Sequence, residues 1–255
     1  MSATKKLPVL CDSGKPEQVL PLCEKYGFGI EIQGFENPNE ADNSPGLVKH
    51  YKSILPDGID KYIHAPFWDL CPGSPNGKIA EVTRYYFDYA YEIAEDIGCK
   101  GIIVHHGFVP NTSNPANWIS RSAVFWQSFF DAHPGDIAIH MENLCEKETQ
   151  TLAAVAASCK NGRLSVNLDV GHAHCFSGIP ATDWVKQLGE QIGYVHIHQN
   201  YGKSDEHLGL HKGNVPVKET LELLMEYAPD AVWALECGPA DMEKSIEVLS
   251  KYGFI

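Results

Sequence analysis

IAEVTRYYFDYAYEIAEDIG (79–98), followed almost at once by GIIVHH (101–106), sets two hydrophobic periods back to back. In the first piece Ile79, Val82, Tyr86, Tyr89, Ala90, Ile93 and Ile97 repeat at i, i+3 and i+4, the stripe of an amphipathic helix, and Gly98 supplies the stop. The second is a short β-branched run that closes on histidine and predicts a buried strand. The same alternation recurs along the whole chain. Candidate strands are LPVLCD (7–12), GIEIQ (29–33), DKYIHA (60–65), GIIVHH (101–106), DIAIHME (136–142), RLSVNLD (163–169), GYVHIH (193–198) and AVWALE (231–236). Helical stretches are expected over 16–26, 46–54, 78–97, 115–132, 147–160, 182–192, 216–227 and 240–252, with Pro16 and Pro216 where first-turn prolines are tolerated. Eight strands, each followed by a helix, predict an α/β fold, a (β/α)8 TIM barrel forming a single domain over 1–255. The alternative, an open doubly wound sheet, lacks support as a nucleotide binder, because no GxGxxG or GxxxxGK[ST] follows any strand.

Composition narrows the classes. The formal net charge is −13, and the only arginines are Arg84, Arg121 and Arg163. A protein that lives on phosphate backbones clusters basic residues, so the acidic balance argues against nucleic acid. No apolar run approaches the roughly 18 residues of a membrane span, and the N-terminal segment lacks the pattern of a secretion signal. The eight cysteines are scattered, with no CxxC pair, as expected of reduced thiols in a cytoplasmic protein.

Nearly every candidate strand ends in a residue that can bind a metal: Glu31, His64, His105, Glu142, Asp169, His196 and Glu236. Period-two alternation puts Ala138, His140 and Glu142 on one face of their strand, and Tyr194, His196 and His198 on one face of theirs. The apolar faces would pack on helices, so the polar faces would look into the barrel mouth, where active sites of this fold lie. His172, Asp205 and His207 follow just beyond strand ends. One such residue is ordinary. Six or more ionisable strand ends converging on one mouth would be costly to bury without a cation. Imidazole plus carboxylate suits zinc, manganese or cobalt.

The pieces HAPFWDL (64–70), VHHG (104–107), MENL (141–144), NLDVGHAH (167–174), HIHQN (196–200), DEHLGLHKGN (205–214) and LECG (235–238) resemble the xylose isomerase-like TIM-barrel superfamily. That grouping includes the sugar phosphate isomerase/epimerase family and endonuclease IV. The resemblance to the epimerases implies one divalent metal, zinc or manganese, held by Glu142, Asp169, His196 and Glu236. The resemblance to endonuclease IV implies three zinc ions. His64, His105 and Glu142 would hold one; Glu142, Asp169, His196 and Glu236 the second; His172, Asp205 and His207 the third. One to three ions per chain are therefore expected. Such barrels often pair, so a homodimer is allowed.

Two chemistries follow. In the first, a sugar or sugar-phosphate isomerase or epimerase, Glu142 and Glu236 act as a catalytic acid–base pair on a small carbohydrate. In the second, a metal cluster hydrolyses a phosphate ester. A non-catalytic metal-binding barrel is a third class. Against an abasic-site nuclease stand the acidic segment GFENPNEADNSP (34–45), Gln199 where relatives carry an acid, and HKG (211–213) in place of a Gly and Glu. Glu31 reads as a rim carboxylate or a substrate contact. Phe67 and Trp68, with Phe108 and Phe176, read as stacking surfaces or as core. His198 and His211 read as substrate contacts or as partners of the ligands, and Lys212 as a phosphate contact or a solvated side chain. His106 and His140 read like His198, as does His174, although His106 is turned away from the inward face of His105. His50 and His133 read as surface residues.

Overall fold

The computed structural model describes residues 6–255. Eight parallel strands close in sequence order: β1 (Val9–Cys11), β2 (Gly29–Ile32), β3 (Lys61–His64), β4 (Gly101–His105), β5 (Ala138–Glu142), β6 (Leu164–Asp169), β7 (Ile192–Ile197) and β8 (Val232–Leu235). Around them lie α1 (Pro16–Tyr26), α2 (Ser44–Ile54), α3 (Gly77–Ile97), α4 (Pro115–Ala132), α5 (Gln150–Ser158), α6 (Val170–Phe176), α7 (Ala181–Leu188), α8 (Val217–Tyr227) and α9 (Pro239–Tyr252). The expected TIM barrel is therefore the fold. Among the described residues no helix is long and apolar enough to cross a membrane, and all eight cysteines are free.

Alternation along the strands builds two separate cores. Outward residues such as Leu10, Ile30, Ile63, Ile102, Ile139, Val166, Val195 and Leu235 pack against the helices. Each buried aliphatic side chain of this kind contributes about 1.5–3 kcal/mol. Inward residues Val9, Cys11, Tyr62, Ile103, Tyr194 and Ala234 fill the barrel floor. Above that plug the inward positions turn polar, and register aligns them: His105 beside Glu142, Glu142 beside Asn167, Asp169 beside His196. The apolar floor thus closes one end of the barrel and leaves the ionisable residues at the other.

The boundaries differ from the sequence expectation at informative points. The stretch 147–160 becomes helical only from Gln150, and 182–192 ends in a 3₁₀ turn, Gly189–Gln191. A further 3₁₀ turn, Pro38–Asn43, precedes α2. Helix α6 falls within the motif NLDVGHAH; it forms because Asp169 ends β6 and its side chain caps the helix, accepting from His172 N at 2.6 Å.

Candidate metal centre

Five overlapping sets of ligand atoms lie close together at the C-terminal end of the barrel. They are His64, His105 and Glu142; Glu142, Asp169 and His196; His172, Asp205 and His207; His198, His207 and Glu236; and Cys11, Glu31, His196 and Glu236, the atoms within each set lying within 4.8 Å of one another. Glu142 links the first three. Its Oε2 is 3.5 Å from His64 Nε2 and 3.1 Å from His196 Nδ1, while its Oε1 is 3.7 Å from His105 Nε2 and 3.2 Å from His172 Nδ1. Glu236 completes the cluster, with Oε2 3.2 Å from His196 Nδ1 and 3.6 Å from His207 Nδ1. All nine residues singled out from the sequence as metal ligands therefore meet in one cluster.

Hydrogen bonds to the remaining ring nitrogens aim the imidazoles. His64 Nδ1 lies 2.9 Å from Ala65 O and His172 Nδ1 2.8 Å from Asn143 O, which turns each Nε2 toward a carboxylate. His196 Nε2 meets Glu31 Oε2 at 2.9 Å, leaving Nδ1 for the cluster. Fixing the far nitrogen in this way sets the tautomer and orientation that a metal ligand needs.

The charges respond to that crowding. Burial opposes ionisation of Glu142 and Asp169, yet the surrounding imidazoles hold both well below the usual carboxylate range. Glu236 moves the other way: burial outweighs His196 and His207 and raises its carboxyl. Burial opposes the charged forms of His64 and His207, but neighbouring carboxylates raise each to about 9. His105 is pushed down to about 3, chiefly by burial.

The other candidates are distributed differently. Glu31 is not on the rim; it is fully buried below His196, where Tyr194 Oη donates to its Oε2 at 2.8 Å. Phe67 stacks on His105 with centroids 4.4 Å apart, and Trp68 beside it is 65% exposed. His198 Nε2 lies 3.1 Å from Asp169 Oδ1, and its ring stacks on His207 at 4.3 Å. His211 and Lys212 are not brought to the cluster; both approach Asp241, at 3.5 and 2.5 Å. His106 does face away, accepting from Trp118 Nε1, and Phe108 packs on the same indole. Phe176 lies 6.1 Å from His172, and His174 meets Asn214. His140 sits a layer below the cluster, bonded to Ser165 and stacked on Tyr194, so it is not a substrate contact. His50 is exposed as expected. His133 is half-buried rather than freely exposed: its ring packs 4.1 Å from Tyr91 and meets Asp88 at 2.7 Å.

Three polar residues that touch the cluster's carboxylate residues were missed. Asn143 donates to Asp169 O and accepts from Asp169 N, tying the ends of β5 and β6 together. Asn167 Nδ2 donates to Glu142 Oε2 at 2.9 Å. Gln33 Nε2 donates to Glu236 Oε1 at 2.8 Å. The inward face of β6 could have pointed to Asn167; nothing local marks Gln33.

The family model described as the xylose isomerase-like TIM barrel matches residues 21–252. The chain belongs to this family. Among relatives of this xylose isomerase-like barrel, an uncharacterised protein of Methanocaldococcus jannaschii is 30% identical over 226 residues, covering 82% of this chain and 75% of its own. A probable endonuclease 4 of Mycobacterium leprae is 22% identical over 208 residues, covering 77% of this chain and 80% of its own. The solved structure of a D-tagatose 3-epimerase-like protein superposes with a TM-score of 0.75 at 24% identity, covering 98% of this chain and 97% of that one. That last likeness is one of fold.

Proposed function

We propose that this barrel is a divalent-metal-dependent isomerase or epimerase of a small carbohydrate. The observation that carries it is the approach of two carboxylates to one imidazole nitrogen: Glu142 and Glu236, from β5 and from the end of β8, lie 3.1 and 3.2 Å from His196 Nδ1. Similarity of fold to a D-tagatose 3-epimerase-like protein supports the same reading.

The donor set fits a metal. Glu142, Asp169 and His196 lie within ligand distance of one another, Glu236 joins them through His196 Nδ1 at 3.2 Å, the four offer imidazole and carboxylate atoms, and Glu236 Oε2 is buried without a hydrogen-bond donor. These four residues would hold zinc or manganese. The cation would polarise a substrate carbonyl and acidify the neighbouring C–H. Glu142, kept ionised by the imidazoles around it, is suited to accept that proton. Glu236, whose carboxyl is raised by burial, is suited to return one from Oε2, while Gln33 holds Oε1. Phe67, stacked on His105, and the exposed Trp68 beside it would offer an apolar surface to a sugar ring.

Exchange of the substrate C–H with D2O, followed by proton NMR over a panel of free aldoses and ketoses, tests the proposal. Exchange that is lost in Glu142→Gln and in Glu236→Gln supports it. Retained turnover in Glu236→Gln with intact metal content would sink it.

A second reading, a multi-metal phosphoesterase, is favoured by one observation. His64 and His105 on one side, and His172, Asp205 and His207 on the other, form ligand sets that a one-metal epimerase does not need. The endonuclease 4 relative supports it. About three zinc ions per chain, together with hydrolysis of bis(p-nitrophenyl) phosphate, would favour it over epimerisation.

A further inference from the structure

We propose that residues 201–207 form a gate beside Glu236, latched shut when His172, Asp205 and His207 share a cation. The inference rests on the one-metal chemistry proposed above, and it gives these three residues a role that the chemistry itself does not require. The base of the loop is pinned without them. Gln199 N donates to Leu208 O and Leu208 N to Gln199 O, both at 2.8 Å, an isolated antiparallel bridge that closes the loop on itself. The Gln199 side chain grips the returning chain as well: Nε2 donates to Val215 O at 3.0 Å, and Oε1 accepts from Val215 N at 2.8 Å. A carboxylate here could accept the second bond but not donate the first, so the two-sided clamp needs the amide. Leu210 N donates to Ser245 Oγ at 3.0 Å and Lys212 pairs with Asp241 at 2.5 Å, which fastens the same base to α9.

The tip is held differently. Tyr201, Lys203, Ser204 and Glu206 are exposed, and Tyr201 N bonds Glu206 within the tip itself. Gly202 N bonds the adjoining Asn200, and Cys175 Sγ, a weak donor, meets Ser204 O at 3.1 Å. Among the described residues, the other polar contacts from the tip to the barrel run through ligand side chains. Asp205 Oδ2 lies 3.0 Å from His172 Nε2 on α6, Asp205 Oδ1 3.6 Å from His198 Nε2, and His207 Nδ1 3.6 Å from Glu236 Oε2. His207 is also held at φ 46°, a left-handed backbone that is costly for a residue with a Cβ and persists where contacts enforce it. The enforcing contacts are again those of the cluster: Asp205 at 2.6 Å on Nε2, and the stack on His198. His207 stands with Glu236 in the wall of a cavity of about 680 Å³, so displacing the tip removes that wall from beside Glu236. Shared ligation between α6 and the tip would close the gate over a substrate and keep water out, and release of the tip would let product leave.

Trypsin cleavage after Lys203, followed by mass spectrometry with bound zinc counted, tests the latch. At free zinc about ten times its Kd, cleavage should be about tenfold slower than in chelator-treated protein, the factor by which a bound ion favours the closed tip. Asp205→Ala and His207→Ala, each loaded with zinc, should hold one ion fewer and be cut after Lys203 as fast as the chelated protein. His64→Ala disables a different ligand set and should keep Lys203 protected. Cleavage after Lys212, on the pinned base, should stay slow in every case and so report an intact fold. Equal cleavage with and without zinc, an unchanged zinc count or retained protection in the Asp205 and His207 variants, or equal loss of protection in His64→Ala would overturn the proposal. Rapid cleavage after both lysines in both tip variants would also overturn it, since the tip would not then open alone. No substrate is present, so a failure of epimerisation with an intact latch would refute the chemistry and leave the gate standing.

Discussion

Gln33 Nε2 donates to Glu236 Oε1 at 2.8 Å, and the amide has one orientation, because its Oε1 accepts from Ser13 N at 3.1 Å. Gln33 N in turn donates to Asp12 Oδ1, and Asp12 accepts from Tyr51 Oη at 2.7 Å. The loops after β1 and β2 are thereby tied to the one carboxylate of the cluster that burial raises. Gln33→Leu keeps much of the volume and removes the donor. A loss in kcat of about 10–100-fold is expected, the range for residues that orient ligands. KM should change little. A steady-state comparison reads the split; a rise in KM alone would place Gln33 on the substrate instead.

Glu31 and His196 yield a second prediction. Glu31 is fully buried, accepts from Tyr194 Oη, and sits 2.9 Å from His196 Nε2. Glu31→Gln removes the charge that holds His196 with Nδ1 toward the cluster. Metal affinity should fall about 10–100-fold. Competition with a chelator of known affinity measures this, and unchanged affinity would show that His196 needs no such partner.

The metal-free protein should lose stability as pH rises. His64 and His207 are raised in the folded state to about 9, against about 6.5 in an unfolded chain. Between these values the folded state holds more protons than the unfolded state, so their stabilisation is complete below about pH 6.5 and is lost as pH climbs through about 9. Glu142, Asp169 and Asp205 are depressed and give the opposite trend, lost only in acid. Melting of chelator-treated protein should therefore show a falling Tm from about pH 6.5 to 9. Metal-loaded protein should not follow it, since a cation replaces those protons. Parallel curves with and without metal would refute the displacement.

The barrel was legible because each strand states its two environments in alternating residues. Ile139 and Met141 face the helices while His140 and Glu142 face inward. What alternation cannot give is height along the barrel axis. His140 and Glu142 share a face, yet one pleat repeat puts His140 in the floor beside Tyr194 and Glu142 in the cluster. Nor does it give partners that meet only on closure. Gln33 and Glu236 are 203 residues apart in sequence and come together because β8 pairs with β1, which pairs with β2. Asp241 is missed for the same reason: without the fold, nothing couples it to Lys212, and the lysine reads as a phosphate contact or a solvated side chain. Helix α6 was hidden for a different reason. Its seven residues are too few to display a period, and the cap that starts it, Asp169, had already been counted as a strand end.

Gly171 and His198 carry the last prediction. A Cβ at Gly171 would lie 2.0 Å from His198 Cε1, closer than any side chain tolerates. The backbone of α6 therefore passes directly over the imidazole that meets Asp169 at 3.1 Å and stacks on His207 at 4.3 Å. Gly171→Ala must push His198 away from both, since the helix is held by Asn200 Nδ2 donating to Gly171 O at 3.0 Å. Overpacking of this kind costs about 1–3 kcal/mol, and loss of His198's contacts with Asp169 and His207 should weaken metal binding as well. His198→Ala alone leaves a cavity beside Asp169 and is also destabilising. The two defects are complementary, so the double variant should be more stable than the sum of the single losses by at least about 1 kcal/mol. Urea denaturation of the four proteins closes the cycle. Additive losses would mean that Gly171 is required for the start of α6 rather than for the seat of His198.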